Sequence, residues 1–164
     1  MKNHQIVMIQ YIGMITFVEV YIHFVWTTRN EEHYLASSLF RHKVQEHIRQ
    51  NAKDKGLIVE AVSVQPNHCH CLIAFKTNQT IEKLMQLIKG ESSFWINEQK
   101  RLPVKFEWEN TYYAVSVGQQ KAMRIKEQLE QSELTDGRLP YSIEREWKKI
   151  SGVKRRRWRR NKYG

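Results

Sequence analysis

Two runs of strand-forming residues hinged on Pro66–Asn67 limit the folds open to this chain more than any other feature. The first runs from Leu57 to Gln65; the second, from His68, reads His-Cys-His-Cys-Leu-Ile-Ala-Phe. Pro and Asn between two such runs mark a turn, so the pair predicts a β-hairpin. Residues two apart on an extended strand share a face. His68 and His70 therefore point the same way, close enough to bind one metal ion, while Cys69 and Cys71 point to the other face. The four side chains cannot converge on one ion while the segment stays extended, which argues against a four-ligand zinc site. Strand histidines at this spacing also occur as ordinary packing residues, so the pair needs support from the rest of the chain.

Other elements follow from periodicity. Residues 1–16 form an extension of uncertain role, and an apolar strand is expected from Phe17 to Thr27, with Val18, Val20, Ile22, Phe24 and Trp26 on one face. Glu19 interrupts this apolar region, and no small-residue cleavage site follows, so neither a membrane span nor a secretory signal is expected. A helix is predicted over Tyr34–Lys53, with Leu35, Leu39, Val44 and Ile48 as its buried stripe and Gly56 as its stop. In the strand after it, Ile58, Glu60, Val62 and Val64 are expected on one face. A second helix spans Ile81–Glu98, capped by Thr80 and interrupted at Gly90; Ile81, Leu84, Met85 and Ile88 face the core, and Phe94, Trp95 and Ile96 resume the apolar surface. A strand over Tyr112–Val117 and a third helix over Gln119–Ser132, buried through Ala122, Ile125 and Leu129, complete the body. The order predicts an α+β fold, a ferredoxin-like βαββαβ antiparallel sheet with an additional C-terminal helix over its open face. The histidines then sit on a central strand. The domain is placed at residues 17–134, with a tail at 135–164.

Charge separates these two parts. The net charge is +10, and residues 138–164 carry 11 Lys+Arg against 2 Asp+Glu, which leaves the rest near neutrality. A basic segment of this kind is an electrostatic footprint for nucleic acid. Lys154, Arg155, Arg156, Arg157, Arg159 and Arg160 are candidate phosphate contacts, and Trp158 among them can stack on a base. Two cysteines on one strand suggest no disulfide framework and fit a reducing cytoplasm. There is no internal repeat, Gly-rich phosphate loop or Ser/His/Asp signature.

Several blocks taken in order are more specific than any one of them. Tyr21-Ile22-His23-Phe24-Val25-Trp26-Thr27-Thr28-Arg29, Pro66 to Ile73, Ile88-Lys89-Gly90-Glu91-Ser92-Ser93 with Trp95 to Glu98, and Phe106-Glu107-Trp108 with Tyr112 to Val117 resemble the single-tyrosine HUH transposases of the insertion-sequence 200/605 group and their REP-associated relatives. The resemblance covers about Tyr21 to Gln128. Pro66 to Ile73 corresponds to the His-hydrophobic-His block, with Asn67 where Asp is common. The resemblance implies metal-dependent cleavage and rejoining of single-stranded or hairpin DNA through a covalent tyrosine intermediate. It further implies a divalent ion, Mg²⁺ or Mn²⁺, held by His68, His70 and Gln128. It also implies a homodimer whose composite sites each borrow the extra helix of the other copy, and a cytoplasmic protein associated with the nucleoid when bound to DNA.

The chain departs from the family at the nucleophile. The family's helix reads Tyr-Ile-x-x-Gln, whereas Arg124-Ile125-Lys126-Glu127-Gln128 stands here. Arg124 can grip a phosphate but cannot form a phosphodiester intermediate. Tyr141, beyond the third helix, is an alternative nucleophile; Tyr112 and Tyr113 fit packing or substrate contacts. Two functions are therefore expected to compete: an active transposase, and a catalytically impaired or repurposed relative that binds DNA without cutting it.

Overall fold

In a computed structural model of the chain, the described residues are 17–135 together with 139, 140, 142–145 and 148. The expected extension at 1–16, Tyr141, and Lys154 to Arg160 with Trp158 lie outside them. The elements are β1 (Tyr21–Thr28), α1 (Ser38–Asp54), β2 (Ile58–Val64), β3 (His68–Ala74), α2 (Ile81–Glu98), β4 (Trp108–Val117) and α3 (Gln119–Thr135), with one short 3-10 turn at Arg29–Glu31. The strands form one antiparallel sheet in the order β2-β3-β1-β4. This is the α+β, ferredoxin-like arrangement with an extra C-terminal helix, and the histidine strand is central. No helix among the described residues is long and apolar enough to cross a membrane.

Alternation along the strands sorts side chains into two layers. Ile22, Phe24 and Trp26 of β1 and Cys69, Cys71 and Ile73 of β3 pack with Val44 and Ile48 of α1 and Leu84, Met85 and Ile88 of α2. Trp26 meets Trp108 edge-on at 5.9 Å, and the Trp108 indole N–H donates to Ser92 Oγ at 2.9 Å. Both cysteines are free and buried. Burial pushes the Cys71 thiol up to about 12 and raises Cys69 as well, so they behave as small apolar packing groups. On the other face, Ala61, Leu72 and Val117 pack beneath Ala122, Ile125 and Leu129 of α3. Leu139 and Ile143 are buried in this same cluster, so the second layer draws on residues that composition marks as tail. An Arg49–Glu133 pair, with Nη1 to Oε1 at 2.7 Å, ties the end of α3 to α1.

Four local expectations are corrected. β1 begins at Tyr21, and Phe17 and Val20 are exposed, because its neighbours β3 and β4 pair no further than Ala74 and Val117, opposite Tyr21. The first helix starts at Ser38, with the Ser37 hydroxyl accepting from the Phe40 N–H. That phase buries Phe40, Val44, Ile48 and Ala52 and leaves Leu39 70% exposed. Gly90 does not interrupt α2, since the flanking Ile88 and Ser92 are buried and tertiary packing outweighs a glycine penalty of about 1 kcal/mol; Phe94, in contrast, is exposed. In β2 the register shifts between Val59 and Ala61, leaving Glu60 as an extra residue. A bulge changes which face the following residues take. Val59 thus joins Val62 and Val64 in the first layer, and Glu60 instead pairs with Lys126 of α3 at 3.1 Å.

Candidate metal centre

His68 and His70 lie on the α3 side of the sheet, opposite Thr27 and Val25 of β1. His68 is 6% exposed and His70 is fully buried. The turn residue Asn67 fixes the first ring. Its Oδ1 accepts from His68 Nδ1 at 2.7 Å, and its Nδ2 donates to the Glu31 carbonyl at 3.4 Å, which orients the amide. With the proton on Nδ1, His68 turns the lone pair of Nε2 outward. That nitrogen faces Glu144 Oε1 at 3.2 Å. A lone pair opposed to a carboxylate oxygen at this distance requires a cation between or beside them, a proton or a metal ion.

His70 adds the second donor. Its Nε2 lies 3.9 Å from the same Glu144 oxygen and is buried without a hydrogen-bond partner. Burial, reinforced by the neighbouring His68 and His23, holds its pKa well below the ordinary histidine value. His70 is therefore neutral and has a lone pair to give. Its Nδ1 is 3.1 Å from Nε2 of His23 on β1, with the ring centroids 5.2 Å apart.

Ligand atoms of His68, His70 and Glu144 all lie within 4.8 Å of one another. An ion bonded at about 2.1 Å holds adjacent ligands about 3 Å apart, so small side-chain shifts close the set. Two imidazoles and a carboxylate, one imidazole nitrogen being buried and orphaned, fit a divalent metal.

Glu144 reaches this place through its neighbours. Leu139 and Ile143 anchor the segment in the second core cluster, and the Ile143 and Glu144 N–H groups donate to the Pro140 carbonyl at 2.9 and 3.0 Å. A hydroxyl pair, Ser63 of β2 and Ser132 of α3 at 3.1 Å, lies beside His70, which Ser63 faces across the ladder.

The two histidines predicted from sequence are thus brought together. Of the α3 pair, Arg124 is exposed and Gln128 half-buried, while Ala122, Ile125 and Leu129 take the sheet-facing side. Within one chain it is Glu144 that stands against the histidines. Tyr112 is on the α2 side, 6.4 Å from Phe24 with Lys89 over its ring at 5.7 Å. Tyr113 pairs with Val25 and so takes the histidine face. Sequence reasoning missed Glu144, His23 and the bonding role of Asn67. His23 carried a signal, a lone polar residue inside an apolar strand, whereas Glu144 carried none.

Residues 16–132 match the family described as IS200-like transposase. The chain belongs to the IS200-like transposase family. No curated protein matches it. Among solved structures, a candidate transposase from Deinococcus radiodurans R1 is 20% identical, with a TM-score of 0.56 over 74% of this chain and 96% of that one. A REP-associated tyrosine transposase bound to a REP hairpin is 13% identical, with a TM-score of 0.51 over 77% of this chain and 74% of that one. These two likenesses establish the fold. The family assignment rests on the sequence match, which spans the histidine strand, Arg124 and Gln128 and stops short of Glu144.

Proposed function

We propose that this IS200-like transposase acts on single-stranded or hairpin DNA at a divalent-metal site made by His68, His70 and Glu144. The observation that carries the proposal is the pair of outward Nε2 atoms converging on one carboxylate oxygen, at 3.2 and 3.9 Å. Held by His68, His70 and Glu144, Mg²⁺ or Mn²⁺ would supply positive charge to offset charge on phosphoryl oxygens. Imidazole donors favour Mn²⁺ of the two. Asn67 holds the Nδ1 side of His68, and the neutral state of His70 leaves that ring a lone pair to donate.

Arg124 cannot attack phosphorus. Tyr141 is the tyrosine proposed in its place, because it lies only three positions before Glu144 and a chain of that length reaches at most about 10 Å. In the proposed step the Tyr141 oxygen bonds to phosphorus, the P–O3′ bond breaks, and the 3′ oxygen leaves with a proton. Exposed Arg124 and the basic residues from Lys154 to Arg160, with Trp158, are proposed to hold the DNA backbone and bases. The family resemblance also supports a homodimer in which Gln128 reaches the site of a second copy. Sedimentation as a monomer at micromolar concentration, with and without DNA, would remove that part.

A second reading is favoured by Arg124 itself: a relative that retains the metal site and grips DNA without cutting it. One experiment separates the two. Protein is incubated with Mn²⁺ and labelled single-stranded oligonucleotides carrying the DNA that flanks its gene, then run on a denaturing gel. A covalent protein–DNA band, absent in Tyr141→Phe, is expected. Cleavage without a covalent band would overturn the tyrosine assignment. Binding without cleavage would establish the second reading, and cleavage gained by Arg124→Tyr would show why.

A further inference from the structure

His23 stands in the middle of β1, fully buried, in an otherwise apolar strand. Burying an imidazole costs free energy unless its polar atoms are used. Register explains its partner: His23 pairs with Leu72, so His70 is its diagonal neighbour on the same face. The ring centroids are 5.2 Å apart with 26° between planes, and His23 Nε2 lies 3.1 Å from His70 Nδ1, so the two rings meet edge to edge, nitrogen facing nitrogen.

One proton must lie between these nitrogens, and its position decides what His70 can do. If His23 donates, the remaining proton of a neutral His70 sits on Nε2, pointing at Glu144 from 3.9 Å, too far for a hydrogen bond. If His70 donates from Nδ1, its Nε2 becomes a bare lone pair aimed where Nε2 of His68 also points. We propose that His23 is a positioning residue. It accepts the Nδ1–H of His70, fixes that ring's tautomer and rotation, and so makes Nε2 a metal donor. Asn67 performs the same service for His68 with an amide oxygen at 2.7 Å. The two ligands are thus oriented from different elements, one by the turn before β3 and one by the adjacent strand. Partners of this kind orient ligating histidines and raise their basicity. This inference deepens the proposed metal site and rests on it.

The test uses Mn²⁺ binding and nitrogen NMR on the full chain. Long-range ¹H–¹⁵N spectra of the metal-free wild type are expected to show His70 protonated at Nδ1 and bare at Nε2. His23→Phe keeps an aromatic ring in the site and removes the acceptor. It is expected to weaken Mn²⁺ binding, measured by calorimetry or electron paramagnetic resonance, about 10- to 100-fold. His23→Gln places an amide group near the position vacated by Nε2 and is expected to restore binding to within about threefold of wild type, a rescue that a purely space-filling role does not predict. A wild-type His70 protonated at Nε2, or a folded His23→Phe protein that binds Mn²⁺ as tightly as wild type, would overturn the inference. A wild type that binds no Mn²⁺ would instead overturn the metal site and this inference with it.

Discussion

The two faces of the sheet use the same four strands for different ends. Toward α1 and α2, β1 presents Ile22, Phe24 and Trp26 and β3 presents Cys69, Cys71 and Ile73, a dry apolar layer. Toward α3, the same strands present His23, His68 and His70 beside Leu72 and Ala61, so imidazoles and hydroxyls interrupt the apolar cover. The first face is positioned by area and shape, with polar groups such as the Trp108 indole N–H and Ser92 hydroxyl paired to each other. The second is positioned by directed hydrogen bonds, which fix atoms. A two-residue strand period lets one segment, His68 to Ile73, serve both without compromise.

The largest effect should come from breaking the first face alone. Phe24→Ala leaves a cavity between strand and helices and is expected to cost about 3–5 kcal/mol, read by thermal or denaturant unfolding. Mn²⁺ affinity of the protein that remains folded should be unchanged; a parallel loss would mean the two faces are coupled. Breaking the second face alone should do the reverse. His68→Ala is expected to weaken Mn²⁺ binding by more than about 100-fold, beyond the range of an orienting partner, with a small change in unfolding temperature. A large drop in stability without metal would show that His68 is a packing residue.

Acidity sharpens the contrast, because among the strand side chains all the histidines lie on the α3 face. His70 has a folded pKa well below 6.5 because it is buried, and half-buried His47 is lowered for the same reason. Below about pH 6.5 the unfolded chain takes up protons that the folded chain refuses, so the metal-free protein should lose stability as pH falls from 7 toward 5. His70→Gln should flatten part of that slope. Identical slopes in wild type and variant would mean His70 titrates as a free histidine.

The smallest effect concerns what the polar face leaves to the rest of the chain. Removal of residues 152–164 is expected to lower affinity for single-stranded DNA. It should also reduce the salt slope by about 0.7 for each phosphate that the shortened chain no longer neutralises. An unchanged slope would put the phosphate-binding residues on the domain body, with Arg124 the first to substitute.

Much of this was legible locally. The Pro66–Asn67 turn, the split of histidines from cysteines across β3, the Thr80 cap on α2, the Gly56 stop and the α3 stripe each follow from spacing or backbone preference over a few residues. Gly56 indeed takes a positive φ of 69°, which glycine adopts without strain. The element order then led to the fold. Local reasoning failed where a distant partner decided. Glu60 leaves the ladder at a bulge, and α2 runs through Gly90 on the strength of its packing.

The candidate site divides along the same line. The amino-acid sequence by itself determined the two imidazoles, their common face, the family and the substitution of Arg124 at the nucleophile position. Tertiary structure alone decided which groups meet them. His23 comes from an adjacent strand 47 positions away, and Glu144 from a segment 76 positions beyond His68, seated by Leu139 and Ile143. Periodicity reports only which face a residue takes on its own element. Which atoms stand against that face is fixed by how the elements pack, and no local pattern encodes it.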